Sequence, residues 1–188
     1  MKKYATEIKW GLIFAAMMLT WMIMEKVTGL HDVHIDKHPI VTNLIMIPSF
    51  IIYFLALREK RDKDYGGVMS WKQGFISGVL IGLVVMVCSP IIQLLINNVI
   101  SPEYFQNAIA YSVEYGGQTQ EQAESFFNLQ NYLIMGTLSA PIMGAITAAI
   151  MALVVKRSAP GRKILFFRVF LPLHFLWDYN GRSRVQSH

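Results

Sequence analysis

Cysteine and charged residues are both scarce in this sequence of 188 residues. The single cysteine, Cys88, lies in an apolar run, which excludes an intramolecular disulfide and leaves no redox motif. Charged residues make up 15% of the chain and hydrophobic residues 54%, whereas a typical soluble domain is about 25% charged. So little charge excludes an ordinary soluble domain and favours an integral membrane protein.

Reactive motifs are missing as well. The sequence contains no glycine-rich phosphate loop, nucleophile elbow or zincin motif, so we expect neither an enzyme nor a bound cofactor. No Asp, Glu, Lys, Arg or His lies in the middle of an apolar stretch, although proton-coupled transporters usually carry such a residue. A cleaved signal peptide is not expected, because no small-x-small cleavage site follows Met24.

Long apolar stretches are what the sequence has in abundance. Each approaches or exceeds the roughly 20 residues that a helix needs to cross the hydrocarbon layer. The four stretches cover residues 8–24, 39–57, 74–96 and 132–155. Because they lack the period-two alternation of barrel strands, we predict an all-α fold, an integral membrane bundle of four transmembrane helices.

The basic residues predict how the bundle is oriented. All but two of the 17 lysines and arginines fall within residues 2–9, 58–72 and 156–184, which share one side of a four-span topology. Cytoplasmic loops are enriched in Lys and Arg, so we expect a multi-pass protein of the bacterial inner (cytoplasmic) membrane with both termini in the cytoplasm. Anionic lipids explain such flanking clusters. The predicted partner is therefore the lipid bilayer, and nucleic-acid binding is not expected.

Small residues recur at every fourth position in the third and fourth spans. Residues four apart share one helical face, and a face of small side chains lets two helices approach closely in lipid. We therefore predict that these residues pack spans three and four together rather than line a pore. They are Gly74, Gly78, Gly82, Gly136, Ala140, Gly144 and Ala148. The three prolines within spans, Pro48, Pro90 and Pro141, are expected to bend their helices.

The segment 101–130 between spans three and four is polar and rich in aromatic residues. Ser101 is a candidate N-cap for one helix that Gly116 and Gly117 would end. Thr119 and Gln122 have the spacing of a capping box for a second, shorter helix. We predict an outer helical hairpin lying across the mouth of the bundle. A lid packed on its own bundle is favoured over a partner-binding surface, and both remain open.

The stretch HDVHIDKH, residues 31–38, holds three candidate metal ligands, His31, His34 and His38. A helix would place all three on one face, but Pro39 favours extended geometry at His38 and so disfavours that alignment. We therefore predict a solvated, pH-responsive bend and expect no metal. Glu25, close to Trp21 on one helical face, could pair with Lys26 or with a histidine of the bend.

Several segments resemble one known family. EIKWGLIF, MEKVTGLH, YGGVMSWKQGFISG and ISPEYFQNAIAYSVEYGGQTQEQAESFFN are similar to sequences of the bacterial membrane-protein family catalogued as domain of unknown function 4199. The resemblance covers about residues 1–157 and implies a four-span inner-membrane protein, without implying an activity or a site residue. Residues 158–188 depart from it and are interpreted as a separate basic and aromatic tail, either interfacial or non-native.

Two functional hypotheses follow from this organisation. The first is a non-enzymatic scaffold or accessory subunit that assembles as a homo-oligomer or with a membrane partner protein, because packing motifs are present and reactive motifs are missing. The alternative is a transporter or channel for a small solute or ion. It rests on the prolines within spans and on two intramembrane amides, Asn43 and Gln93.

Overall fold

The computed structural model describes residues 4–158, and this part of the chain is helical with four helices long and apolar enough to cross a membrane. The predicted fold class is confirmed. The predicted tail lies outside the described residues, apart from Ser158. The helices are α1 (Ala5–Val27), α2 (His38–Val41), α3 (Met46–Asp64), α4 (Trp71–Leu95), α5 (Tyr104–Glu114), α6 (Gln120–Phe126) and α7 (Leu129–Val155).

Short irregular helices extend the second and third spans. The second span continues upstream of α3 through α2 and two 3-10 segments, so that the whole helical stretch covers Ile35–Asp64. The third continues from α4 into a π-helix, Ile96–Ile100. The two extensions lie at the same end of the bundle as the turns of residues 28–34 and the helices α5 and α6.

The predicted hairpin segment contains two short helices, α5 and α6. Thr119 caps α6 through the predicted capping box with Gln122. The predicted cap at Ser101 is wrong, because α5 begins only at Tyr104 and has Glu103 as its N-cap. The Ser101 backbone carbonyl instead accepts from the Tyr104 N–H in a turn before the helix. How α5 and α6 lie across the bundle mouth stays a prediction.

The three span prolines differ in their positions. Pro90 and Pro141 lie inside α4 and α7. That the three prolines bend their helices stays a prediction. Pro48 is the third residue of α3, within the helical stretch Ile35–Asp64 and just after the 3-10 segment Thr42–Ile45. Proline is tolerated in a first helical turn, because an N–H there has no partner within its own helix.

The closest helix contact joins α4 and α7, which pack antiparallel along their small-residue faces. Three glycines of α4 each face a small residue of α7, and each step of four along α4 is matched by four back along α7. The pairs are Gly74 with Ala152, Gly78 with Ala148, and Gly82 with Gly144. At the centre of this seam, a Cβ atom on Gly78 would lie 2.3 Å from the Cβ of Ala148, so the helices approach closer than two alanines allow.

Two other predicted packing residues have looser surroundings. A Cβ atom on Gly136 would meet only the Ser89 hydroxyl, at 3.2 Å, and the Ala140 carbonyl lies 3.5 Å from a Cβ built on Gly82. A further close approach joins α1 to α4, where a Cβ on Gly11 would lie 2.5 Å from the Val84 side chain. Gly11 belongs to no repeat, and so the sequence pattern does not reveal it.

Candidate functional site

The bundle has two chemically different ends. The end formed by residues 4–9, 58–72 and 156–158, here named the basic end, is held together by contacts such as the Arg61 side chain donating to the Val155 carbonyl. The opposite end, formed by residues 25–45 and 96–131, is named the acidic end because it carries seven acidic residues and two lysines. Each end contains one buried cluster of charged or titratable side chains.

Glu25 is the centre of the acidic-end cluster. It lies in the last turn of α1 and is fully buried. The Trp21 indole N–H, one turn earlier, donates to Glu25 Oε1 at 2.7 Å, which leaves Oε2 facing away from that bond. A carboxylate held on one oxygen presents the other in a fixed direction.

The chain turns back over Glu25 immediately after α1. Gly29 has φ +79°, a left-handed conformation that glycine adopts without strain. A Cβ there would also lie 2.7 Å from the Val33 side chain. The Leu30 N–H then donates to the Glu25 carbonyl at 2.9 Å. This turn places His31, the next residue, over the end of its own helix.

His31 and His38 both approach the second carboxylate oxygen, Oε2. Glu25 Oε2 lies 3.4 Å from His31 Nε2 and 3.5 Å from His38 Nε2. The His31 side chain is fully buried and that of His38 is 17% exposed. The interpretation of this stretch as a solvated bend is therefore wrong for His31.

The third histidine of the sequence motif does not join them. His34 is exposed, because residues 28–37 form turns and a 3-10 helix rather than the regular helix that would align all three. The prediction that Pro39 holds His38 extended is also wrong. His38 has φ −52° and ψ −46° and is the first residue of α2. Pro39 sits in the first turn, where its fixed φ suits a helix start.

An aromatic side chain from α5 closes the cluster. The Tyr104 ring centroid lies 5.0 Å from the imidazole of His31 and 5.4 Å from that of His38. Burial raises the pKa of the Tyr104 phenol, so it stays neutral. The Asn107 side-chain amide donates to the His31 carbonyl at 2.9 Å. Through these two residues α5 is fixed to the turn that follows α1.

Lys26 does not pair with Glu25. Its ammonium donates to Asp32 Oδ2 at 2.9 Å on the partly exposed side of the same turn. This hydrogen bond, together with one from the Val33 N–H, holds the pKa of Asp32 below its ordinary value. Of the two pairings considered for Glu25, only the approach to the histidines is present among the described residues.

The basic-end cluster joins three helices. Glu7 of α1 and Lys60 of α3 are 2% and 5% exposed, and Lys60 Nζ lies 2.8 Å from Glu7 Oε1. The Ser77 hydroxyl of α4 donates to the same oxygen at 2.7 Å, and Asp64 Oδ2 lies 2.6 Å from Lys60 Nζ. No sequence pattern predicts this cluster, because its members are far apart in the chain. Its charges are paired, as a structural tie requires.

The described residues also form two depressions, one among the spans and one at the acidic end. One, of about 510 Å³, lies among the spans and is lined mainly by apolar side chains such as Phe14, Phe50 and Met143. The other, of about 380 Å³, lies at the acidic end. It is lined by Val33, Ile35, Asp36, Tyr111 and Tyr115.

Comparison with known proteins identifies the family. The sequence model of the family described as "Protein of unknown function (DUF4199)" matches residues 9–157, most of the chain. The chain belongs to this family, as its resemblance predicts. No match was found among curated proteins or among solved structures.

Proposed function

We propose that this member of the DUF4199 family is a non-enzymatic accessory protein of the bacterial inner membrane that presents its acidic end to a membrane partner protein. In this proposal both termini are cytoplasmic and the acidic end faces outward, as the distribution of basic residues indicates. The observation that carries the proposal is the depression of about 380 Å³ at the acidic end.

The lining of this depression has the chemistry of a recognition surface. Val33 is 78% exposed and Tyr115 is 69% exposed, so a partner that covers them would remove apolar surface from water. Asp36 adds a carboxylate to the same lining. Aromatic residues are enriched at protein interfaces, and an acidic surface attracts a basic one. The partner segment expected here therefore carries a basic side chain next to an apolar one.

The surface is also anchored to the bundle. Tyr111 and Tyr115 belong to or follow α5, the helix that Tyr104 and Asn107 fix to the histidine turn. Val33 and Asp36 follow that same turn in sequence. A binding surface that is ordered in advance loses less conformational entropy when its partner binds.

The alternative, passage of a small solute or ion, stays a prediction with less support. The α4–α7 seam is closed by direct contact between small residues. The intramembrane depression of about 510 Å³ offers mainly apolar side chains and a few hydroxyls, including those of Ser49, Tyr53 and Thr147. Such a lining does not replace the water shell of an ion.

Site-specific photo-crosslinking in cells tests the proposal. A photoreactive amino acid at Val33 should yield one discrete crosslinked species heavier than the chain. The same probe at Gln120, exposed but outside the depression, should not. Asp36→Lys should reduce the Val33 crosslink several-fold, because a basic partner segment would meet a like charge, whereas Asp36→Glu should retain it.

Three results would overturn the proposal. These are equal crosslinking from Val33 and Gln120, no effect of Asp36→Lys, and a crosslinked mass equal to two copies of this chain. The last result would identify the acidic end as a self-association surface instead.

A further inference from the structure

We propose that Glu25, His31 and His38 bind a divalent transition-metal ion, with zinc as the best chemical match. The candidate ligand atoms are Glu25 Oε2 and one ring nitrogen of each imidazole, and all three lie within 4.8 Å of one another. The site differs from the histidine trio of the sequence motif, since Glu25 takes the place of His34. None of its three ligands lines the depression of the partner surface proposed above.

The distances from Glu25 to the two imidazoles are long for hydrogen bonds and match the spacing of two metal ligands. Nitrogen–oxygen hydrogen bonds are usually about 2.7–3.2 Å long, shorter than the 3.4 and 3.5 Å from Glu25 Oε2 to the two imidazole nitrogens. Zinc bonds to nitrogen and oxygen are about 2.0–2.2 Å, so two ligand atoms of a tetrahedral site lie about 3.3–3.5 Å apart. The two distances that meet at Glu25 Oε2 therefore already match two edges of such a tetrahedron.

Unsatisfied nitrogen atoms give an independent reason for a ligand. Among the described residues, His38 Nε2 has no hydrogen-bond partner although the atom is buried. His31 Nδ1 is also unsatisfied, but it is not the nitrogen that faces Glu25, so only His38 Nε2 supports a ligand at this point. A buried polar atom without a partner is costly, because it has lost its hydrogen bonds to water and gained none in return. His38 Nε2 points to Glu25 Oε2, where a metal ion between the two atoms would satisfy both.

The donor set selects the class of metal. Two imidazoles and one carboxylate form a ligand set that zinc uses when a fourth position is left for water. Calcium and magnesium prefer shells made of oxygen atoms, so they should bind poorly here. The indole N–H of Trp21 on Glu25 Oε1 acts as an outer hydrogen bond that orients the ligating carboxylate.

Isothermal titration calorimetry of the full chain in mild detergent tests the site, after removal of any affinity tag and bound metal. Zn²⁺ should bind with 1:1 stoichiometry. Glu25→Gln, His31→Ala and His38→Ala should each weaken binding by about 100-fold or more, because each removes or neutralises a ligand. His34→Ala is the matched control. Its imidazole is exposed and outside the cluster, so affinity should stay within about twofold of the unmodified protein.

Cobalt spectroscopy keeps the test valid where a variant fails to fold. Co²⁺ added to the unmodified protein should give the intense visible absorption of a tetrahedral site, and Zn²⁺ should displace it. The proposal is overturned by the weak absorption of hexaaquo Co²⁺, by no saturable Zn²⁺ binding below about 10 µM, or by a loss in His34→Ala as large as that in His38→Ala.

Discussion

Replacing Gly78 with alanine tests whether the α4–α7 seam holds the bundle together. The new Cβ would lie 2.3 Å from the Cβ of Ala148, whereas non-bonded carbon atoms pack at about 3.5–4.0 Å. The helices must therefore separate locally by about 1.2–1.7 Å. Backbone blocks an easy escape, since the Ala148 Cα is only 3.2 Å from the same point.

The expected loss of stability is about 1–3 kcal/mol, the usual range for overpacking a tight core. The overpacking cost should exceed the stabilisation that alanine provides over glycine as a better helix former, which is about 1 kcal/mol. Gly82→Ala is the matched control in the same seam. Its Cβ would sit 3.4 Å from the Gly144 Cα, an ordinary contact, so this variant should be neutral or slightly stabilised.

Unfolding in mixed micelles with increasing SDS, followed by circular dichroism, measures these differences. A double-mutant cycle adds a test of mechanism, because Ala148→Gly removes the atom that Gly78→Ala strikes. The double variant should recover most of the stability lost in Gly78→Ala, giving a coupling of at least about 1 kcal/mol. Equal stabilities of the Gly78 and Gly82 variants, or the lack of any coupling, would refute the reasoning.

Two further predictions concern topology and the basic end. In a Cys88→Ala background and in cells with a permeable outer membrane, an impermeant maleimide should label Gln118→Cys but not Ser70→Cys; the reverse pattern would invert the proposed orientation. Glu7→Gln should destabilise the protein by about 1–3 kcal/mol, because it removes the negative charge that pairs with the buried Lys60 ammonium. The control is Asp62→Asn, because the side chain of Asp62 is 46% exposed. It should change stability by less than about 1 kcal/mol in the same detergent titration. Equal effects of Glu7→Gln and Asp62→Asn would contradict a stabilising role for the buried cluster.

Features encoded by neighbouring residues could be predicted from the sequence. The spans follow from the lengths of the apolar runs, and the α6 capping box from the spacing of Thr119 and Gln122. Ser101 shows where such local rules fail. A serine before a helical segment is typical of an N-cap, but α5 begins only at Tyr104 and has Glu103 as its N-cap.

The membership of the acidic-end cluster could not be predicted from spacing alone. His31, His34 and His38 have helical spacing, yet the chain between them forms turns, so the regular periodicity that would align them does not apply. Glu25 joins instead because Gly29 reverses the chain over the end of α1. The Glu7–Lys60 pair is harder still, since it depends on how α1 and α3 pack.

The two buried clusters differ more in how completely their polar atoms are hydrogen-bonded than in their composition. At the basic end, Glu7 receives Lys60 at 2.8 Å and Ser77 at 2.7 Å, so the charges are paired by short contacts within the chain. At the acidic end, Glu25 accepts from Trp21 at 2.7 Å, but its contacts to His31 and His38 are longer, at 3.4 and 3.5 Å. The nearer nitrogen of His38 has no hydrogen-bond partner among residues 4–158. A cluster whose charges are all paired within the chain links its helices and needs no ligand to explain it. An incompletely paired one leaves a buried cost that a bound ligand would remove, and the acidic end is therefore where binding should be sought first.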